Sequence, residues 1–263
     1  MGIRPLTKTE VIKKLDQVMV LNVVLVCDGQ KQIIPGTDGE LCFFADPIDA
    51  KAALAAMQAE LPPPPGHSIG LDFTPLGRAY ALSEGWVMTR QLAGGKAPPA
   101  MRLVPSSQVV DTCGADGIKA LEAQLPKQLQ KLNKRQSAFP LFFLEELQSD
   151  KVMPFFFSRD DLVTCWMSTG KAFADLPPQL HVIDLRALVL RALTEPKDWL
   201  ARLLLVPSQG VVDLMQMLDG VSDKIEELGT LAAKATGEAI AEANAAHAAA
   251  VASGDEPPPL EAC

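Results

Sequence analysis

Leu103-Val-Pro-Ser-Ser-Gln-Val-Val-Asp111, LVPSSQVVD, nearly recurs as Leu205-Val-Pro-Ser-Gln-Gly-Val-Val-Asp213, LVPSQGVVD. In both places Leu-Val-Pro reads as a strand end, because proline cannot donate to a ladder. The serine that follows suits a helix N-cap. Ser106 and Ser208 are therefore expected to cap helices whose apolar faces open at Val109-Val110 and Val211-Val212. Such a phrase recurs by chance or by copying, and the order of the surrounding elements separates the two.

The first half opens on Leu6-Thr-Lys-Thr-Glu10, a capping box with Thr7 as cap and Glu10 reaching back. Val18 to Cys27 is β-branched and continuous, like a central strand, and Asp28-Gly29 is a hairpin signal. Leu41-Cys-Phe-Phe44 is a strand, then Asp46-Pro47 caps an alanine-rich helix that Pro62 to Pro65 stop. Ser68 to Phe73 alternates as a strand, and Leu76 to Leu82 is a helix. The second half repeats the order: strands at Phe139–Phe143 and Val152–Phe157, a Ser158-capped helix over Arg159–Ala174 stopped by Pro177-Pro178, a strand at Leu180–Leu185 and a helix at Ala187–Leu193. Shared order favours copying. The expected fold is α/β: a duplicated, pseudo-twofold domain over 1–220, with a β-sheet in each half flanked by helices. Half one is 18–117, a linker helix with a basic face fills 118–137, and half two is 139–220. A C-terminal helical arm over 221–252 and a tail over 253–263 complete the chain. The arm's stripe is mostly alanine, and the tail carries Pro257-Pro-Pro259.

Composition narrows the function. The chain has 263 residues, 48% of them hydrophobic, enough for a sizeable core. A net charge of −8 argues against nucleic acid, which wants a basic face. The longest apolar run, Val18 to Cys27, is too short to span a bilayer, which needs about 20 residues. The start shows neither a secretory signal nor an Arg/Ser-rich transit pattern, so the protein works where it is made or a leader has been removed. Cys27, Cys42, Cys113, Cys165 and Cys263 form no metal spacing and read as small apolar residues.

Catalytic signals are weak. His67, His181 and His247 stand apart from any nucleophile pattern. Gly94-Gly95-Lys96 lacks the rest of a phosphate loop. Asp160-Asp161 falls in a helix's first turn, where carboxylates favour the dipole, and Glu145-Glu146 lies near a turn. No cofactor or metal is expected. The conspicuous residues are phenylalanines: Phe43, Phe44, Phe142, Phe143, Phe155, Phe156 and Phe157. Alternation puts neighbours on opposite faces of a strand. They read either as a sheet covered on both faces or as a groove that binds apolar segments of a partner.

Met153-Pro-Phe-Phe-Phe-Ser-Arg-Asp-Asp-Leu162, with Phe139-Pro-Leu-Phe-Phe143, Leu76-Gly-Arg-Ala-Tyr80 and Lys14-Leu-Asp-Gln-Val18, resembles the phrases of the twenty-two-kilodalton Tic (Tic22) family. The likeness covers roughly 12–218. It implies a duplicated α/β fold and a plastid protein of the envelope intermembrane space, or its cyanobacterial counterpart. It also implies chaperone-like binding of preproteins during import, with preproteins or translocon subunits as partners. Met19-Val20-Leu21 departs from the family's first strand, the loop 91–100 looks atypical of the family, and the helix and tail after Val221 look like additions. Those additions support a second expectation, a peripheral structural subunit of a photosystem–antenna complex on the thylakoid, docked through the arm. An enzyme is the third, and least supported.

Overall fold

A computed structural model describes residues 4–87, 99–126, 138–149, 151–177, 180–195 and 202–217. The 94–96 loop, the basic stretch 127–137, His247, Cys263, the arm and the tail lie outside the described residues. The chain divides into Met1–Val212 and Asp213–Cys263; the fold below is that of the first unit.

Helix α1 is Lys8–Leu15, and its capping box forms as read: Thr7 Oγ1 accepts from the Glu10 N–H (3.3 Å), and Glu10 Oε2 accepts from the Thr7 N–H (2.8 Å). The first half then runs β1 (Met19–Cys27), β2 (Gln30–Ile33), β3 (Leu41–Phe44), α2 (Pro47–Glu60), β4 (His67–Pro75), α3 (Leu76–Ser83), β5 (Met101–Val104) and α4 (Ser107–Gln124). The second half runs β6 (Pro140–Phe143), β7 (Met153–Phe156), α5 (Arg159–Ser168), β8 (His181–Asp184), α6 (Leu185–Thr194), β9 (Leu203–Val206) and α7, helical residues 209–217. Asp28 and Gly29 both take positive φ in the β1–β2 turn, the conformation that Asp-Gly supplies.

Two sheets result. In the first, β4 pairs β1 antiparallel, β1 pairs β3 antiparallel, and β3 pairs β5 parallel, with β2 added beside the C-terminal half of β1. In the second, β8 pairs β6, β6 pairs β7, and β7 pairs β9, with the same polarities in the same order. The registers coincide at the residue level. Leu21 faces Phe44 as Phe142 faces Phe156, and Phe44 faces Val104 as Phe156 faces Val206. The Leu76 N–H donates to Val18 O (2.8 Å) as the Leu185 N–H donates to Phe139 O (2.9 Å).

The inner faces of both sheets share one core. Val20, Phe43 and Leu103 from the first sheet and Leu141, Phe155 and Leu205 from the second belong to it, with side chains of α1, α3 and α6. Gly77 lets α1 and α3 touch: a Cβ there would press into the Ile12 carbonyl and the Asp16 carboxylate.

Two local readings need correction. The α5 helix ends at Ser168, not Ala174, because Gly170 takes φ 82, the left-handed stop that glycine favours; a short 3-10 turn, Phe173–Asp175, follows. Within α4, Gly114 takes φ 67 and ψ 166 and parts two helices, the second of which carries 118–124, the described start of the linker. Finally, Cys27, Cys42, Cys113 and Cys165 are all partly exposed rather than buried, since each sits at an element end or at the margin of a packed face.

Candidate functional site

The repeated phrase builds the junction between the halves. Ser106 and Ser208 stand at the starts of α4 and α7, as expected, but the hydroxyl of Ser106 does not accept from its helix. It donates to Asp46 Oδ2 (2.9 Å), while Ser208 Oγ donates to Ala45 O (3.3 Å). The helix N–H groups are taken by carboxylates of other helices. Asp49 accepts from the Ser107 N–H (2.8 Å), and Asp161 accepts from the Gln209 N–H (3.1 Å). Asp160 accepts from Gln108 Nε2 (3.4 Å). Asp160-Asp161 is therefore a structural clasp, with its carboxylates already engaged. A carboxylate suits a helix start because the exposed N–H groups carry partial positive charge.

The outer faces of the two sheets differ. On the second sheet, Phe142, Leu144 and Phe156 are covered by Val109 of α4 and by Leu162 and Trp166 of α5. Trp166 Nε1 donates to Ala172 O (3.0 Å), which locks the indole over that face. On the first sheet α2 provides the cover. Counted from their capping residues Asp46 and Ser158, Ala50 stands where α5 has Leu162. Ala53 and Ala56 are equally small, while Leu54 stands where α5 has Trp166. On the sheet side, Leu21 and Val23 stand where the second sheet has Phe142 and Leu144. A partly open cavity of about 210 Å³ remains on this face, lined by Val23, Cys42, Phe44, Ala53, Met57 and Arg102. About 150 Å³ suffices for a benzene-sized guest.

One rim of this cavity is charged. Arg102 meets Asp38 (3.3 Å) and Glu40 (3.2 Å), and its Nη2 lies 3.6 Å from Cys42 Sγ. Burial pushes the Cys42 thiol up, and the Arg102 contact that pulls the other way does not reverse it. Cys42 is thus a neutral lining group, without the depressed pKa of a nucleophilic cysteine.

The expected phenylalanine set is mostly core. Phe43, Phe155 and Phe157 lie in the shared core, and Phe142 and Phe156 lie under α4 and α5. All five are at most 4% exposed, because their positions face either the shared core or the covering helices α4 and α5. These rings are filled into the interior and present no surface. Phe143 is half-buried and stacks on the exposed His181 ring, with centroids 5.0 Å apart. Of the set, Phe44 reaches the cavity. The alanine face of α2 was missed. Its signal was available, an alanine-rich helix where the partner helix carries Leu and Trp, but it requires the two halves to be aligned first.

Glu145 opens a 3-10 turn that ends at Leu147 and contains Glu146. His67 Nδ1 sits 3.2 Å from Pro65 O in the turn before β4. Among the described residues no group of His, Cys, Asp and Glu could hold a metal ion, and no helix is long and apolar enough to cross a membrane.

Among solved structures, the chain is similar to Tic22 from Plasmodium falciparum at 18% identity, over 82% of this chain and 98% of that one, with a TM-score of 0.52. The fold is that of Tic22. Anabaena Tic22, described as a protein-transport protein, is similar at 18% identity over 81% of this chain and 97% of that one, with a TM-score of 0.46. No protein-family model and no curated protein matches the sequence. The cavity lies on the outer side of the first sheet, away from the shared core.

Proposed function

We propose that this chain is a non-enzymatic, Tic22-like plastid protein that holds apolar segments of unfolded preproteins during import across the envelope. The observation that carries the reading is the unequal covering of the two sheets. One outer face is filled by Leu162 and Trp166; the other keeps a partly open cavity lined by Phe44 and Met57. A chain with 48% hydrophobic residues does not lack material to fill it. The cavity's walls are mostly apolar and its charges are paired at the rim, which suits an inserted Leu, Val or Phe side chain. The Tic22 fold and the family phrases around Met153 to Leu162 support the plastid setting. The matched order and register of the two sheets support descent from one copied unit.

Light scattering tests the reading. A chemically unfolded client diluted into equimolar chain is expected to aggregate less than in buffer or in an inert protein at the same concentration. Unchanged aggregation at that ratio means the reading is wrong.

A further inference from the structure

Among the described residues, every sheet edge but one is short. The edge strands β2, β5, β8 and β9 each run four residues; β4 runs nine. Proteins normally blunt such edges with shortness, charge, proline or bulges, because open backbone groups template pairing with another chain. β4 is paired with β1 along its whole length, from Cys27–His67 to Met19–Pro75. Its one proline is its last residue, and its one acidic residue, Asp72, is answered by Lys31 at 2.7 Å.

The hydrogen-bond parity of β4 follows from two bonds. The Leu76 N–H donates to Val18 O, so Met19 and Pro75 are a non-bonded pair and Val20 and Thr74 a bonded one. The Ile34 N–H donates to Val23 O, which gives β2 the odd residues of β1 and leaves the even ones to β4, in agreement. Ser68, Gly70, Asp72 and Thr74 therefore bond β1. Ile69, Leu71 and Phe73 turn their N–H and C=O groups to the outer edge. The Gln58 amide of α2 donates to one of these, the Ile69 carbonyl (3.2 Å). No other described backbone group pairs with the outer groups of these three residues. The side chains of the same three residues lie half-buried on the sheet face that carries Leu21 and Val23, the cavity's face.

We propose that β4 is the register rail of the binding site: an extended segment of a client polypeptide adds to it as a further strand, and alternate apolar side chains turn toward the face under α2. The proposal rests on the polypeptide-binding reading above and names how the segment is gripped. Main-chain bonds to Ile69, Leu71 and Phe73 would give affinity without demanding a sequence, as strand addition does elsewhere. Charge selects the occupant. The edge is neutral by the Lys31–Asp72 pair, in a chain of net charge −8. A second copy would bring another −8 to the contact, whereas a neutral or basic segment is attracted.

The test uses the full chain and a fluorescein-labelled peptide alternating valine and threonine between terminal lysines. Its control is the same peptide N-methylated at alternate residues, which keeps the side chains and removes the donors on one edge. Anisotropy is expected to show binding of the first and at least about tenfold weaker binding of the second, the worth of one or two net backbone hydrogen bonds. Amide hydrogen exchange should slow at Ile69, Leu71 and Phe73. Leu71→Pro removes an outward N–H and leaves the β1 ladder whole, which proline tolerates on an edge strand. Gly70→Lys adds an edge guard where a Cβ meets nothing within 4 Å. Both should weaken the peptide while β1 and β4 stay paired, and the second stands if the first fails to fold. Equal binding of the two peptides, protection elsewhere, or an unaffected Gly70→Lys overturns the proposal. A concentration-dependent dimer that protects the same three amides also overturns it, in favour of self-pairing. The two readings fail separately. Peptide held at β4 with no effect on client aggregation supports the edge and sinks the chaperone role; aggregation suppressed equally by parent and Gly70→Lys sinks the edge alone.

Discussion

Gly77 shows how a single residue sets the packing of the first half. Elsewhere in a helix, Gly→Ala gains about 1 kcal/mol. Here the added methyl meets the Ile12 carbonyl and the Asp16 carboxylate, and the carbonyl belongs to a helix that cannot yield. Gly77→Ala is expected to lose about 1–3 kcal/mol in urea unfolding, the cost of overpacking; a gain would show that α1 is not docked as described. Asp184 is the second such residue. It is fully buried, caps α6 at the Arg186 N–H (2.7 Å), accepts from the Phe139 N–H (3.1 Å) and pairs with Arg186 Nη2 (2.9 Å). Removing one partner of a buried pair costs about 3–5 kcal/mol, so Asp184→Ala should cost that much, read by the same titration. Glu10 supplies a pH signature. The Arg4 guanidinium hydrogen bond, then the Thr7 N–H and hydroxyl, lower its carboxyl to about 2. A lowered carboxylate stabilises the fold above its unfolded value of about 4.3 and loses that contribution as pH falls toward its folded value. The carboxyl carbon shift of Glu10 should titrate near 2, and Arg4→Ala should move it upward. These features differ in legibility. The Thr7–Glu10 box was readable because both partners lie within one turn. The roles of Asp49 and Asp161 were not, because the N–H groups they cap belong to helices starting at Ser107 and Gln209, far along the chain.

At the scale of elements, the strands and caps follow from local chemistry. β-branched runs gave β1, Asp46-Pro47 gave α2, and the repeated phrase gave the β5–α4 and β9–α7 joints. The faces did not follow. Period-two alternation says that Phe43 and Phe44 part company, but not that both faces are covered. The groove, likewise, is a deficit visible only when α2 is set beside α5. Ala50 stands where the other sheet has Leu162, and Ala53 and Ala56 line the cavity. Ala53→Leu should fill that cavity. Filling a cavity commonly gains about 0.5–2 kcal/mol, so the variant should melt no earlier than the parent. If the groove grips clients, the same variant should lose most suppression of client aggregation. A variant that is stable and fully active would place the grip elsewhere.

For the whole molecule, the two sheets carry one strand order and one register, and on the proposed reading they divide their labour. The inner faces make a single apolar core, so each half buries its inner face against the other. The outer face of the second sheet is closed by α4 and α5. The outer face of the first keeps both an apolar cavity and the long edge of β4. A fold that repeats can thus hold stability in one half and binding in the other. Amide hydrogen exchange of the full chain, with and without an equimolar unfolded client, tests this division most directly. Protection is expected at Cys42–Phe44, along α2 and on Ile69, Leu71 and Phe73, with β6 to β9 unchanged. Protection confined to the second sheet, or none anywhere at saturating client, would contradict it.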